Sequence, residues 1–589
     1  MIKKYFSPIF LRNLAVPYTK PRLYLGLILA IAVIVRAVYF IELSSTPSAS
    51  QHLWDQSDMY FFDQWAKTIA SGDWLTDRSL HPFNDWQKEM VQHYFGEKTP
   101  LAPEQTTAIL ERWSGGKIFH QEPLYPYLVA LIYKLCGENV RWVFLLQMVL
   151  GVSTIILIFR ITRRHFGLPT GMVAAVLSGI CGPLLYYEML LHRTTLITFM
   201  GLLIVDQADL ALARENRLRW LVFGGCCGLA ITIKSTFLLF VIGIVAVLIA
   251  GRWRHPRALI TTVGCITAGI TLALSPVIAR NIMVGVSPLV LSSVGSIVFI
   301  DANVAEPSGE NSSIERERQI VSIMQQSNES LLAAIIPTMR THPNLISILS
   351  LFWHKLTLVW NCYEIPNNSN FYYYQLEAPV LRYLVTFLLL TPLSLLGIFL
   401  ARKHIPTMWP IFLLVTIQLS VLLVFNVLSR HRVSLMAALV PFAALTLVSI
   451  YKSIQQQQIR KLAMAFAFLF IATWWTSRPL QENNGSLISG NYYMVPILSY
   501  YIPEINAAAN RSDWTKINQL YEGALRYESS EIDRLYKVNL LTADDVSLLR
   551  LYADVHRNYG HALLRQGNEA AAAREQQRSE ALLSSVDGL

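Results

Sequence analysis

Three aspartates follow the first long apolar stretch of the sequence and are the first residues whose type suggests chemistry. Asp55, Asp58 and Asp63 fall within one short segment. A carboxylate fixed at a membrane surface can act as a general base on an incoming hydroxyl, or it can hold a divalent cation. The alternative is an ordinary amphipathic surface helix, because Phe62 and Trp65 have a spacing that suits one buried face.

A second acidic position precedes a later apolar segment. Gln121 and Glu122 stand directly before Pro123. Glu122 could be a second functional acid, or a residue favoured at a helix start by the helix dipole. Asp58 and Glu122 make Mg²⁺ or Mn²⁺ a candidate cofactor, although no rigid set of carboxylate ligands is visible. The six cysteines lack the spacing of a structural zinc site.

A basic group lies at the end of the ninth apolar run, where the topology given below faces outward. It consists of Arg430, His431 and Arg432. Arginine forms forked, charge-assisted hydrogen bonds with phosphate oxygens, so this group suits a lipid-linked phosphate. The alternative is snorkelling of the side chains towards lipid headgroups. Arg280 and Asn281, just outside the seventh run, could join the same site.

The composition excludes a water-soluble protein. Of the 589 residues, 53% are hydrophobic and 15% are charged, whereas soluble domains have about 25% charged residues. We exclude nucleic-acid binding, because the net charge of +10 comes from short loops between apolar runs. An apolar run of about 20 residues can cross a bilayer as a helix. About eleven such runs are visible, at 23–43, 140–159, 168–190, 192–211, 218–233, 235–251, 258–278, 378–400, 407–427, 433–451 and 461–476.

The basic residues between these runs predict the orientation of the chain. With a cytoplasmic N-terminus, the clusters that follow the second, fourth, sixth and eighth runs all fall on the cytoplasmic side, as the positive-inside rule expects. Three large segments then face outward, at 44–124, 279–377 and 477–589. Lys234, between two short runs, is either snorkelling or functional, because an ammonium at membrane depth is costly.

The sequence therefore predicts an all-α polytopic membrane protein with two domains. Residues 1–476 form the transmembrane domain, whose large outer loops hold interfacial helices, and residues 477–589 form a small helical domain outside the membrane. In the tail, small residues recur at helix-crossing spacing and Gly567 separates two helices. This tail resembles a tetratricopeptide repeat, which would bind a protein partner. The alternative is a simple helical hairpin.

Several motifs in order resemble one family of membrane enzymes. The chain is similar over about residues 1–450 to bacterial relatives of glycosyltransferase family 39, which are GT-C enzymes akin to protein O-mannosyltransferases and lipid A aminoarabinose transferases. The motifs are Asp58-x4-Asp63-Gln64-Trp65-Ala66, Gln121-Glu122-Pro123-Leu124-Tyr125-Pro126-Tyr127, Leu274-Ser275-Pro276-x3-Arg280-Asn281, Ser293-Val294-Gly295-Ser296 to Asn303, Glu364-Ile365-Pro366-Asn367-Asn368 and Arg430-His431-Arg432.

The resemblance implies inverting transfer of a sugar from a polyprenyl-phosphate-linked donor to an envelope glycan, lipid or protein. It places the reaction on the outer face of a bacterial cytoplasmic membrane. Asp58 matches the carboxylate that serves as base or metal ligand, and Arg430 and Arg432 match the position that holds the carrier phosphate. Further substrate-binding residues implied by the motifs are Gln121, Glu122, Tyr125, Arg280, Asn281, Glu364 and His431.

Two other functions fit the composition. A transporter or flippase of lipid-linked sugars would also have ionisable residues at membrane depth, but matching internal repeats are not visible in the sequence. A non-catalytic envelope scaffold would use the tail for binding and the spans as an anchor. Substitution of Asp58 separates these functions, because it should abolish transfer and leave a scaffold intact.

Overall fold

The structure of the protein is a computed structural model that describes residues 19–96, 99–214, 216–307, 312–478, 491–529 and 543–587. Within these ranges the chain is helical, without β-strands, and Cys181 and Val385 form an isolated β-bridge. The helices of the N-terminal half are α1 (Thr19–Ser44), α2 (Asp58–Ala70), α3 (Asp85–Phe95), α4 (Pro103–Trp113), α5 (Leu124–Cys136), α6 (Val140–Phe166), α7 (Leu168–Gly179), α8 (Gly182–Tyr186), α9 (Thr194–Ala213), α10 (Arg217–Ile231), α11 (Phe237–Arg252) and α12 (Pro256–Met283).

The second half continues in the same all-helical manner. Its helices are α13 (Gly295–Asn303), α14 (Ser312–Gln326), α15 (Leu331–Arg340), α16 (Leu345–Trp360), α17 (Phe371–Glu377), α18 (Phe387–Ala401), α19 (Ile405–Val424), α20 (Ser429–Gln455), α21 (Ile459–Thr476), α22 (Asn491–Pro496), α23 (Ile502–Asn510), α24 (Trp514–Ala524), α25 (Ala543–Arg565) and α26 (Glu569–Asp587). The predicted fold class is confirmed: the chain is an all-α, multi-pass membrane protein.

Each of the eleven apolar runs coincides with helical structure. Within the described ranges, seven helical segments are long and apolar enough to cross a membrane, and the longest of them, Phe387–Val424, joins α18 and α19. Two other runs, those of α7 and α11, form shorter apolar helices within the described ranges. The predicted number of eleven spans therefore stays a prediction.

The run at 168–190 is not one straight helix. Helix α7 ends at Gly179, α8 starts beyond it with Pro183 at an early position, and a 3₁₀ turn follows at Tyr187–Met189. The interruption has a partner: the amide of Gly182 donates to the carbonyl of Val385 at 2.8 Å, and the amide of Val385 donates to the carbonyl of Ile180 at 2.9 Å. These bonds satisfy backbone groups that the broken helix leaves unpaired, which is required at membrane depth.

The chain consists of two compact units, each defined by the contacts among its own residues. The first unit comprises Met1–Ala37, Phe61–Tyr363 and Tyr383–Arg478. Small residues bring its helices together: a Cβ on Gly224 of α10 would lie 2.3 Å from the carbonyl oxygen of Ile266 in α12. Glycine is required at such a crossing because any side chain would push the two backbones apart.

The outer loops of the first unit build their own hydrophobic core. Helices α3 and α4 come from the first outer loop, and α13, α14 and α15 come from the second. Their apolar faces share one cluster, whose buried residues include Met90, Trp113, Ile300, Val321 and Ala334. The two loops are therefore folded structures rather than simple connectors.

The second unit comprises Val38–Tyr60, Glu364–Arg382 and Pro479–Leu589. Its core is made by the tail helices, with Leu548 and Tyr552 of α25 among its buried residues. Gly567, with a φ of +78°, lies in the turn between α25 and α26. The two helices that the sequence predicts on either side of Gly567 are therefore present. A tetratricopeptide repeat and the domain boundary at 476/477 remain predictions. The predicted domain 477–589 does not contain the two loop segments, 38–60 and 364–382, that belong to this unit.

Candidate functional site

Glu122 is the acidic centre of a polar group in the first unit. It lies just before α5, in a segment held by the bond from the amide of Leu124 to the carbonyl of Thr232 at 3.1 Å. Its carboxylate is buried, forms an ion pair with Arg193, and accepts bonds from the amide and hydroxyl of Ser235, each at 2.7 Å. Burial alone would raise the pKa of Glu122, but Arg193 and Ser235 outweigh it and lower the pKa below its usual range.

Three cations lie close together beside this carboxylate, and Lys234 interacts with each of the other two. We call Arg193, Lys234 and Arg430 the basic cluster. Lys234 interacts electrostatically with Glu122 and with both arginines, and the guanidinium of Arg193 also donates to the carbonyl of Ile233 at 3.0 Å. One acid and three bases leave an excess of positive charge, which suits a phosphate.

Lys234 is the titratable member of the basic cluster. It lies in the turn between α10 and α11. Burial and the neighbouring charges of Arg193 and Arg430 lower the pKa of Lys234 to about 8, against the opposing effect of Glu122. The charge of the cluster therefore depends on pH near neutrality.

The sequence predicts Arg430 and His431 at the end of the ninth apolar run, but the structure places both in the first turn of α20, the helix of the tenth run. One guanidinium nitrogen of Arg430 is 3.2 Å from Nε2 of His192. His431 is 3.3 Å through Nδ1 from the carbonyl oxygen of Asn426, and it is close enough to interact electrostatically with Lys234 and Arg430. Both side chains are partly buried, so neither Arg430, a member of the cluster, nor its neighbour His431 is fully enclosed.

Arg432 is placed differently from Arg430. Its side chain has no solvent-exposed area and stacks over the ring of Phe387 at 4.4 Å. Its guanidinium donates to backbone carbonyls at the end of α16 and beyond, at Leu358 (3.2 Å), Asn361 (2.6 Å) and Tyr363 (2.6 Å). These bonds organise the chain after α16, so Arg432 has a structural role. Its predicted contact with the carrier phosphate stays a prediction.

Arg280 and Asn281 also organise loops. Arg280 donates to the carbonyls of Leu75, Thr76 and Lys117 at 2.7 to 2.8 Å. The amide of Asn281 donates to the carbonyls of the chain that follows α12, at Ser287 (3.3 Å), Pro288 (3.3 Å) and Val290 (2.8 Å). The pair therefore joins the end of α12 to both outer loops, and its predicted part in the substrate site stays a prediction.

Gln121 and Tyr125 are buried on either side of the Pro123 turn. The hydroxyl of Tyr125 donates to Oε1 of Gln147 at 2.9 Å, and its ring lies edge-on to Phe62 at 5.1 Å. Tyr125 thus connects α5 to α6 and α2. Tyr125 therefore has a packing role next to the Glu122 segment. Its predicted contact with substrate stays a prediction.

Asp58 and Glu364 belong to the second unit. Asp58 is the first residue of α2, and its Oδ2 accepts a bond from the amide of Asn368 at 2.7 Å. Glu364 is buried, and its backbone amide donates to the hydroxyl of Tyr372 at 3.0 Å. The structure therefore brings the motif at 364–368 to the loop of Asp58.

Within the described ranges, no group of three or more histidine, cysteine or acidic side chains is placed to hold a metal ion. Both carboxylate oxygens of Glu122 already accept bonds from Arg193 and Ser235. A metal at Asp58 or Glu122 therefore stays a prediction.

Arg193 and His192 were not among the predicted site residues. In the predicted topology they lie at the outer end of the fourth run, where basic residues are unusual. The same exception drew attention to Arg430, so it could have identified Arg193. Which acid would pair with Arg193 could not be predicted, because Glu122 comes from a distant part of the sequence.

Comparisons with known proteins give one family and several solved structures. Residues 120–280 match the model of the family described as dolichyl-phosphate-mannose-protein mannosyltransferase. No curated protein sequence matches the chain.

Among solved structures, the chain is similar to the apo oligosaccharyltransferase of Archaeoglobus fulgidus, with 13% identity and a TM-score of 0.40 over 79% of this chain and 57% of that one. It is also similar to ArnT from Cupriavidus metallidurans bound to undecaprenyl phosphate, with 13% identity and a TM-score of 0.30 over 73% of this chain and 78% of that one. The chain thus spans little more than half the length of the archaeal enzyme. The family match includes Glu122, Arg193, Lys234 and Arg280, and it confirms for residues 120–280 the resemblance to membrane glycosyltransferases that the motifs predict.

Proposed function

We propose that this protein transfers a sugar from a polyprenyl-phosphate-linked donor to an envelope glycan, lipid or protein, with inversion at the anomeric carbon. The reaction takes place on the outer face of a bacterial cytoplasmic membrane, with the N-terminus in the cytoplasm. The observation that carries the proposal is the basic cluster around Glu122. Two of its three cations lie inside the segment that matches the mannosyltransferase family.

The basic cluster holds the phosphate of the donor. Arg193 and Arg430 supply guanidinium groups, which pair with phosphate oxygens, and Lys234 adds a point charge. Glu122 fixes the direction of Arg193 through their ion pair. When the bond between the sugar and the phosphate breaks, its electron pair moves onto the phosphate, so these cations stabilise the transition state more than the bound donor.

Asp58 is the general base in this proposal. It takes the proton of the acceptor hydroxyl while the acceptor oxygen forms its bond to the anomeric carbon, on the face opposite the leaving phosphate. The Asn368 amide, 2.7 Å from Oδ2 of Asp58, orients the carboxylate. The alternative role of Asp58 is that of a ligand for Mg²⁺ or Mn²⁺ in place of the general base. The helical tail is the surface proposed for a protein partner.

The test is mass spectrometry of envelope glycans and polyprenyl-linked sugars in a parent strain, a deletion strain and strains expressing single variants. Asp58→Asn should remove one sugar from a glycan, lipid or protein, as the deletion does, and its lipid-linked donor should accumulate. The matched control is Asp85→Asn, because the carboxylate of Asp85 is exposed at the start of α3. Loss of the sugar in the deletion but not in Asp58→Asn would refute the assignment of Asp58 and favour a transporter or scaffold.

A further inference from the structure

The loop that leads into α2 belongs to the same compact unit as the C-terminal helices. This unit contains Val38–Tyr60, with Asp58, together with Glu364–Arg382 and the tail. Contacts can therefore be followed from the tail to the carboxylate of Asp58 without leaving the unit.

Two residues connect Asp58 to the buried part of its own unit. Asn368 donates to Asp58 through its side-chain amide, and its backbone carbonyl accepts a bond from the Gln51 amide. Oε1 of Gln51 accepts the hydroxyl of Tyr374, which is also 3.2 Å from the carbonyl oxygen of Ser48. Gln51 and Tyr374 are both buried, so these hydrogen bonds are shielded from water and favour a single arrangement.

The backbone of Asn368 limits which residues can take this place. Its φ is +59°, in the left-handed region that glycine and asparagine adopt at low cost. Asparagine therefore satisfies two needs at this position, since it accepts the backbone conformation and supplies the amide donor for Asp58. Glycine would satisfy only the first.

The tail contacts both segments of this network. The helix α22 and the π-helical turn Ile497–Tyr501 pack against the 3₁₀ helix Pro47–Leu53, which carries Gln51. The ring of Tyr527 lies edge-on to the ring of Tyr373, with centroids 5.7 Å apart.

Hydrogen bonds through Glu377 connect Tyr373 to the 3₁₀ helix Pro47–Leu53. The hydroxyl of Tyr373 donates to one oxygen of Glu377 at 3.1 Å, and the other oxygen accepts the amide of Ser48 at 3.3 Å. The 3₁₀ helix that precedes Asp58 is thus held from two sides, by α17 and by the tail.

We infer that the C-terminal helical domain is a positioning element of the active site, which holds the Asp58 loop through Tyr527, Tyr373 and the Gln51–Asn368 bonds. This inference rests on the proposed function, in which Asp58 is the base. A base must be held in near-attack geometry, and a displacement of about 1 Å by a distant change can cost about a hundredfold in rate. A protein partner that shifts the tail would change the rate of transfer in the same way.

The experiment uses the full-length protein in nanodiscs and compares Tyr527→Leu, Tyr527→Phe, Asn368→Gly and the control Arg550→Ala, whose side chain is exposed on α25. Phenylalanine keeps the edge-on ring contact with Tyr373, whereas leucine removes it. Two quantities are measured: hydrogen exchange of peptides covering residues 47–60, and the kcat and KM for the lipid-linked sugar that accumulates in the deletion strain.

We expect Tyr527→Leu to speed exchange in 47–60 by at least about fivefold and to lower kcat about tenfold with an unchanged KM. Asn368→Gly should also lower kcat at constant KM, while Tyr527→Phe and Arg550→Ala match the wild type. Unchanged exchange in Tyr527→Leu would overturn the inference whatever the activity, as would faster exchange with an unchanged kcat. If Tyr527→Leu speeds exchange but the wild type transfers no sugar, the proposed function fails, and with it the catalytic part of this inference.

Discussion

Phosphate binding should weaken with rising pH because Lys234 loses its charge. The pKa of Lys234 is lowered to about 8 by burial and by Arg193 and Arg430. The ammonium is then about 90% charged at pH 7 and about 10% charged at pH 9. The second ionisation of a phosphate monoester lies near pH 6, so the ligand changes little over this range.

The expected size of the effect follows from this titration. If the charged ammonium contributes to phosphate binding, the affinity for undecaprenyl phosphate falls by up to about tenfold between pH 7 and pH 9, or about 1.4 kcal/mol. The assay is binding of undecaprenyl phosphate to the protein in nanodiscs at constant ionic strength, repeated at half-unit steps of pH.

Two variants make the prediction specific. Lys234→Arg should bind with an affinity that is flat from pH 7 to pH 9, because a guanidinium stays charged throughout. Lys88→Arg replaces an exposed lysine in α3 and should keep the pH dependence of the wild type. A wild-type affinity that is constant over this range, or a parallel fall in Lys234→Arg, would refute the role of Lys234 in holding phosphate.

Three other predictions concern the fold around the site. Glu122→Gln removes one partner of a buried ion pair and should lower the free energy of unfolding by about 3–5 kcal/mol, measured by thermal unfolding in detergent, whereas the exposed control Glu104→Gln should have little effect. Arg280→Gln removes the bonds to Leu75, Thr76 and Lys117 and should speed proteolytic cleavage within residues 71–118. The control is Arg254→Gln, at an exposed position, and equal cleavage rates in the two variants would contradict the role of Arg280 in holding this loop. Gly397→Ala places a Cβ 2.0 Å from the carbonyl oxygen of Phe442 and should destabilise the protein by about 1–3 kcal/mol. Gly264→Ala is the control, because the space around its Cβ is open, and it should not destabilise the protein. Equal melting temperatures for the two variants would refute this account of the contact between α18 and α20.

Helix positions were predictable because apolar runs of spanning length require helical backbone in a membrane. The break after α7 was not, because it depends on hydrogen bonds to Val385, about two hundred residues away. The membership of 38–60 and 364–382 in the unit of the tail also rests on contacts that join distant segments. The spacing of residues in the sequence does not indicate which distant segments will contact one another.

The residue types at the site were more informative than their roles. Glu122 was recognised as a possible second acid and Arg430 as an unusual positive charge at the outer side. In the structure Glu122 pairs with one member of the basic cluster, and Arg430 is another member. Arg432 and Arg280 carry the same chemical groups, but their guanidinium donors are directed at backbone carbonyls. Whether an arginine binds a phosphate or the chain itself depends on which carbonyls lie nearby, and this is a property of the folded protein alone.

The central claim is that the protein breaks the bond between a sugar and polyprenyl phosphate with Asp58 as the base. Its most direct test supplies the lipid fraction of the deletion strain, with its envelope acceptors, to the purified wild type and to Asp58→Asn, and follows the lipids by mass spectrometry. The account predicts that the wild type converts one lipid-linked sugar into free polyprenyl phosphate with equal gain of sugar by an acceptor, and that Asp58→Asn leaves the donor intact. Equal consumption of the donor by both proteins, or none by the wild type, would contradict it.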